Sequence, residues 1–275
     1  MVNQFSVCEG EFGRVELIEY SHDLVVHAHS QPHVMVWLGG GLAHAHIAGE
    51  KLNFTSDMVL YVNSFVSHNL CLDDAKVPAI FLMIYIENDW LEGDLLNLFN
   101  GLGSFQVIAH PQAEITHAAD EILLMLSDYR LLKSKAMAHD MEELVNLALR
   151  ALLMSDMTPP APYRRRMIDY RLRVAIAHML VNLDNPKVAD ELAELVGLSR
   201  SRFYEIFQNE LQSSPHVYWN ALRAEEAAKR LSHHNENMTD VAFDLGFSSP
   251  GNFSRFFRGH TGVSPSTYRR VSHVD

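Results

Sequence analysis

The sequence predicts an α+β protein in two parts: an antiparallel β-barrel followed by two helices, then an all-α domain with two helix-turn-helix units. Three observations carry that prediction. Short runs of β-branched and aromatic residues separated by turn residues fill residues 13–86, apolar residues at steps of three and four take over from Pro111, and Pro159, Pro160 and Pro162 interrupt the helical pattern. At 275 residues the chain is long enough for two cores.

The strand segments are residues 24–26, 34–37, 58–62 and 80–85, with turns at 39–41, 48–50 and 56–57. Short strands at such regular spacing imply a barrel or sandwich. Ile115, Ala118, Ala119, Ile122, Leu123 and Leu126 then mark one helix, and Leu144, Leu147, Ala148 and Leu152 a second. Their apolar faces suit either packing on the barrel or pairing with a second copy of the chain. Proline cannot continue a helix, so residues 156–165 read as a linker between a first domain, residues 1–155, and a second, residues 166–275.

Hydrophobic residues at 48% and charged residues at 20% exclude a disordered, collagen-like or coiled-coil chain. The longest apolar stretch, residues 79–86, falls far short of the roughly 20 residues of a membrane-spanning helix. The first residues lack a basic segment followed by an apolar one, so neither secretion nor membrane insertion is expected. Cys8 and Cys71 are too few for a disulfide framework and lack zinc-knuckle spacing, which points to a reducing, cytoplasmic setting. The glycosylation-type triplets at Asn53, Asn237 and Asn252 are then chance matches. The net charge of −12 divides unevenly: residues 1–160 carry −14 and residues 161–275 carry +2. The two parts therefore do different jobs.

Seven of the sixteen histidines fall between positions 22 and 68. His27 and His29 are two apart on a strand and so share a face, His33 follows past Pro32, and His68 closes the segment 57–68. A His-x-His pair, a ligand-type residue four positions on, a glycine-rich turn and a later histidine after a strand resemble the two motifs of the cupin barrel. The resemblance implies that His27, His29, His33 and His68 converge on one divalent ion, with His33 standing where the family usually has glutamate. Imidazole keeps that position competent for Zn, Ni, Fe, Cu or Mn. The alternative is that the rings hydrogen-bond across the barrel around an organic effector. His44 and His46 share a face opposite Ala43, Ala45 and Ile47; the apolar set turns inward and these two histidines turn to solvent, outside the site. The small inward alanines leave room for a ligand.

The second part carries two similar segments. In residues 188–207, Ala193 allows two helices to cross closely, Gly197 makes a turn with positive φ, and Phe203, Ile206 and Phe207 anchor the second helix. In residues 238–257, Ala242, Gly246, Phe253, Phe256 and Phe257 repeat the design. Gly246-Phe-Ser-Ser-Pro-Gly-Asn-Phe253, the ending Thr261-Gly-Val-Ser-Pro265 with Tyr268-Arg269, and Leu222-Arg223 through Ala227-Ala228 to Leu231 closely resemble the AraC/XylS (arabinose-regulator) family of transcription factors. That resemblance covers about 105 residues. Gln212 departs from it, standing where the first unit usually has glycine.

With the phenylalanines inward, Ser201, Tyr204, Glu205 and Gln208 face outward on one helix, and Asn252 and Arg255 on the other. Arg suits guanine, Asn adenine and Glu cytosine in the major groove. Arg200, Arg202 and Arg258 suit phosphates, while Ser199 and Ser249 cap the helices and donate to the DNA backbone. The family places base-contacting residues in these same helices. The expected function is a sequence-specific regulator, an activator as the commoner family outcome. Its partners are double-stranded promoter DNA, RNA polymerase, a small-molecule or metal effector and a second copy in a homodimer. A charge of only +2 limits non-specific affinity, so the dimer is needed to combine half-sites. Two rivals are a metal-dependent cupin enzyme fused to a DNA-binding module, and a constitutive dimeric DNA-binding protein without effector. The sequence shows no convincing acid or base beside the histidines, and the expectation is a non-enzyme.

Overall fold

The computed structural model describes residues 5–91, 104–109, 111, 113–127, 135–154, 169–185, 188–232 and 236–272. The expected linker, residues 156–165, lies outside them. Strands β1 (Phe5–Gly10), β2 (Gly13–Tyr20), β9 (Ala79–Ile86), β4 (His33–Gly40), β7 (Met58–Val62) and β10 (Phe105–Ala109) form, in that spatial order, a six-stranded antiparallel sheet. Strands β3 (Leu24–His27), β8 (His68–Leu72), β5 (Ala43–Ile47) and β6 (Glu50–Asn53) form a four-stranded one.

The expected barrel is therefore not closed. The chain passes from one sheet to the other around Pro32 and again after Gly39-Gly40, where the pairing of β4 with β9 shifts register. Each crossing ends one ladder and starts another, so the outer strands of the two sheets stay unpaired with each other and the interior is held by side chains alone.

Alternation along β9 explains its unbroken apolar run. Phe81, Met83 and Tyr85 face the interior between the sheets, together with Leu24, Ala43, Ala45, Ile47, Leu70 and Leu72 of the second sheet. Leu82, Ile84 and Ile86 face the other way, under helices α1 (Ala113–Ser127) and α2 (Lys135–Met154). Ile115, Ile122, Leu126, Met141, Val145 and Leu149 of those helices are buried there with Cys8, Val15 and Leu17. The packing alternative thus holds for these residues, while Leu124 and Leu147 remain exposed on the outer side.

Helices α3 (Tyr170–Val181), α4 (Val188–Leu195), α5 (Arg200–Leu211), α6 (Pro215–Ser232), α7 (Met238–Asp244), α8 (Pro250–Thr261) and α9 (Pro265–Val271) complete the described chain. Leu172, Ala175, Met179, Leu192, Ala193, Phe203, Ile206, Phe207, Tyr218 and Trp219 form the core of the first unit. Val241, Ala242, Leu245, Phe253, Phe257, Val263 and Tyr268 form that of the second, continuous with the interior of the two sheets. Arg223 of α6 locks the second unit: its Nε and Nη2 both donate to Leu245 O, at 3.1 and 2.5 Å, and its guanidinium lies 3.9 Å from the Phe247 ring centroid. That carbonyl sits at the turn between α7 and α8, so the connecting helix fixes the angle of the unit it introduces.

Gly246 adopts φ +75°, and a Cβ there would lie 1.9 Å from Asp184 O. Gly246→Ala should therefore cost more than the roughly 1–2 kcal/mol of left-handed strain alone, because a backbone must also move. At Gln212 the turn departs from glycine but keeps its geometry: φ is +52°, and its N–H donates to Gln208 O at 3.0 Å. Gln212→Gly should raise stability by about 0.5–1 kcal/mol, the relief of that strain less the extra freedom of glycine in the unfolded chain. Urea denaturation of both variants checks the pair; a less stable Gln212→Gly protein would mean that the side-chain bond from Gln212 to Asn209 outweighs the strain.

Candidate functional site

The four candidate histidines meet at one end of the space between the sheets, all buried. His27 ends β3 and is paired in register with His68 at the start of β8, which brings their ring centroids to 4.4 Å. His29 lies just past β3, 4.8 Å from the His27 ring and 5.3 Å from the His68 ring. His33 opens β4 on the other sheet, with its ring 4.9 Å from those of both His29 and His68. One ligand atom each from His27, His29 and His68 lie within 4.8 Å of one another. His33 stands beside this trio, its Nε2 buried with no hydrogen-bond partner among the described residues.

The tautomers follow from the carbonyls. His27 Nδ1–H donates to Val25 O and His68 Nδ1–H to Val66 O, each at 2.8 Å, so each Nε2 keeps its lone pair. Burial pushes all four imidazoles down, His33 and His68 to about 3, and neighbouring rings and the Arg14 guanidinium add to it at His29. The rings are neutral at pH 7, the form that binds metal. Nitrogens on a tetrahedral zinc stand about 3.3 Å apart, so the trio needs only a modest contraction. The donor set fits a divalent transition ion.

The cluster has a fifth neighbour that sequence reasoning missed. His260, on α8, is buried with its ring centroid 6.2 Å from that of His27. Its Nδ1–H donates to Phe256 O at 2.7 Å. The signal was present: His260 continues the inward spacing of Phe253, Phe256 and Phe257, making it a polar residue on an apolar helix face. Beside the cluster lies a part-buried ion pair, Arg14 Nε to Glu16 Oε1 at 2.9 Å, with the Arg14 guanidinium 3.7 Å from the Tyr85 ring centroid.

The outward faces of α5 and α8 are as expected for most residues. Ser201, Arg202, Glu205 and Gln208 are exposed on α5, and Asn252, Arg255 and Arg258 on α8. Ser199 and Ser249 cap these helices, accepting from Arg202 N at 3.3 Å and Asn252 N at 3.2 Å. Arg202 pairs with Glu205 at 2.8 Å, and Arg255 donates to Asn252 Oδ1 at 3.2 Å. Tyr204 departs from the expectation. It is half-buried, its ring packs on the first core with its hydroxyl shielded, and the Arg200 guanidinium lies 5.4 Å from the ring centroid. A long aromatic side chain at the edge of an amphipathic face gains more by lying back on the core than by standing in water.

Four neutral buried histidines make stability depend on acid. Their pKa values lie below the usual 6.5, so the stabilisation is complete above about pH 6.5 and is lost as pH falls toward 3. At pH 5 each of His33 and His68 should cost about 1–2 kcal/mol relative to pH 7. Urea midpoints across this window in chelator-treated protein test it, and His33→Asn should flatten the slope; a flat profile in the parent chain would mean that the folded cluster takes up protons freely.

Residues 192–271 match the family described as a helix-turn-helix domain. The chain is 31% identical over 102 residues to an uncharacterized HTH-type transcriptional regulator of Haemophilus influenzae, covering 37% of this chain and 34% of that one. It is 30% identical over 100 residues to the raffinose operon transcriptional regulatory protein RafR of Pediococcus pentosaceus, covering 36% of each. The chain thus spans about a third of the length of these relatives. Its overall fold is similar to that of ToxT from Vibrio cholerae. The TM-score is 0.57 at 14% identity for an apo form, over 96% of this chain and 98% of that one. For a form bound to an unsaturated fatty acid it is 0.57 at 12% identity, over 98% and 97%. Among the described residues no helix is long and apolar enough to cross a membrane. Residues 192–271 therefore match a helix-turn-helix domain, the relatives that share this part are named as transcriptional regulators, and the fold of the chain is similar to that of ToxT.

Proposed function

We propose that this chain is a sequence-specific regulator of transcription, binding double-stranded promoter DNA through α5 and α8 under the control of an effector held by its two-sheet domain. The observation that carries the reading is the tandem arrangement: two capped helices, each anchored by inward aromatics, each presenting Arg with Asn, Gln or Glu outward. Regulation without catalysis, activation through contact with RNA polymerase, and a cytoplasmic location complete the proposal.

The cupin-type histidine cluster is the effector site in this reading. His27, His29 and His68, with His33 beside them, would hold a divalent Zn, Ni, Fe, Cu or Mn ion, which when bound supplies a fixed double positive charge and ties β3 to β8. A cleft of about 530 Å³ opens nearby between the two parts, lined by Arg14, Gln31, Glu87, Glu225, Lys229 and Tyr268 among others. ToxT has been seen with an unsaturated fatty acid, which supports ligand control in this fold. Here the lining also includes Glu9 and Glu226, so acids outnumber the two cations, and a cationic or metal effector suits it better than a fatty-acid carboxylate.

His260 gives the effector a route to the DNA-reading surface. It sits on α8 against His27, while Arg258 of the same helix reaches His22 Nδ1 at 3.4 Å instead of a phosphate. An effector that favours one seating of α8 over another shifts the population competent for DNA. The homodimer would form through the outer side of α1 and α2, where Leu124 and Leu147 are exposed.

Arg255→Ala should cost about 1–3 kcal/mol on the selected site and relax preference at one base pair, while Arg258→Ala should weaken all sequences alike. Fluorescence anisotropy with selected and random duplexes measures both; equal losses on both duplexes for Arg255→Ala would remove its base-reading role. His260→Ala should leave metal content unchanged but abolish the metal-dependent change in DNA affinity, read by elemental analysis beside the same titration.

A further inference from the structure

We infer that the outer face of the four-stranded sheet carries a second metal site, formed by His44, His46 and Cys71 and suited to zinc. The site is separate from the interior cluster and does not rest on it.

The register builds it. In the antiparallel pairing of β5 with β8, His44 lies directly opposite Cys71. His46 is two residues along β5 and Asn69 two along β8, and Asp73 follows β8 at the same spacing, so all five side chains share one face. One ligand atom each from His44, His46 and Cys71 lie within 4.8 Å of one another.

The two imidazoles are already oriented. His44 Nδ1 meets Asp73 Oδ1 at 2.7 Å, the carboxylate-to-histidine contact that fixes metal-bound rings elsewhere. His46 Nδ1 lies 3.3 Å from Asn69 Oδ1, the same oxygen that accepts the His46 backbone N–H at 2.9 Å. An oxygen acceptor at Nδ1 puts the proton there and leaves each Nε2 with its lone pair.

The chemistry selects the ion. Two imidazoles and a thiolate are a borderline-to-soft set, which zinc accepts in tetrahedral geometry with a fourth position open to water. The Asp23 and Asp73 carboxylates lie close to the thiol and favour a cation, although Lys51, opposite His46 on β6, opposes it. On binding, the Cys71 thiol releases its proton to solvent. The chain's other thiol, Cys8, is buried in the core under α1 and α2, with its pKa pushed up to about 11, and does not compete.

Cobalt(II) distinguishes this site from every imidazole site, because a thiolate ligand alone gives the intense sulfur-to-cobalt charge-transfer band in the near ultraviolet. The full-length reduced protein is titrated with cobalt(II) and then with zinc. The expected result is a charge-transfer band whose final intensity is that of one thiolate-bound cobalt per chain, which disappears as zinc displaces cobalt and is lost in Cys71→Ser. Loss of either imidazole, in His44→Ala or His46→Ala, should weaken cobalt binding by about tenfold or more. The melting temperature of each metal-free variant shows that the fold is kept. No band in the parent protein, or a band that survives in Cys71→Ser, overturns the inference. The interior histidines contain no sulfur, so cobalt bound there delays the band without producing it or changing its final intensity, and their own metal is read separately in the Cys71→Ser protein by elemental analysis.

Discussion

Tyr20 of β2 rests its ring against the backbone of Gly262, the residue that ends α8, and most of the architecture depends on that contact. A Cβ at Gly262 would lie 2.4 Å from Tyr20 Cε1, and the glycine has φ +79°, so both the space and the conformation exclude a side chain. Because the approach is that close, Val263 and Tyr268 join Phe5, Ile18 and Phe81 in one apolar cluster. The sheets gain a lid, and the second helix-turn-helix unit gains a floor. Polar contacts around the rim fix the angle: Tyr268 OH donates to Glu9 Oε1 at 3.2 Å, the Ser30 N–H donates to Glu225 Oε1, and Phe65 stacks on Tyr218 with ring centroids 3.9 Å apart. The unit that presents Arg255 and the domain that holds the histidines are therefore not independent beads.

That lid decides the electrostatics beneath it. Excluding water from the end of the sheets leaves His27, His29, His33, His68 and His260 neutral and forces Arg14 to take Glu16 as its partner. Neutral imidazoles with buried lone pairs can accept a cation that charged ones would repel. The cost is an acid-sensitive core, since each ring is disfavoured in its protonated form.

The outer surfaces work by the opposite rule. On α5 and α8 the polar side chains hold one another, Arg202 with Glu205 and Arg255 with Asn252, in contacts that water and salt weaken and that DNA can replace. The outer face of β5 and β8 keeps its histidines, cysteine and acids partly wetted, where ligand exchange is easy. Inside, burial fixes charge states; outside, competition sets them.

Local pattern was enough to read strands β3, β4, β7 and β9, the two helices after the sheets and much of each face, while β1 and β10 lie outside the stretch expected to form strands. Alternation put Ala43, Ala45 and Ile47 inward and His44 and His46 outward. Helical spacing put Phe203, Ile206, Phe207, Phe253 and Phe257 in the cores. The chain-order motif singled out four histidines that do converge. The two alternations are one-dimensional consequences of periods of two and 3.6 residues, which a single chain carries in full, while the meeting of His33 and His68 with His27 and His29 was implied by the cupin resemblance. Tertiary structure decided what no period encodes: that the strands form two sheets and not a closed barrel, that Tyr204 lies back on its core, that Cys71 comes to His44 from another strand, and that His260 arrives at His27 across more than two hundred residues. The reason is physical. Which edge stays unpaired, and which distant side chain fills a gap, depends on the three-dimensional fit of surfaces that only come together when the chain folds.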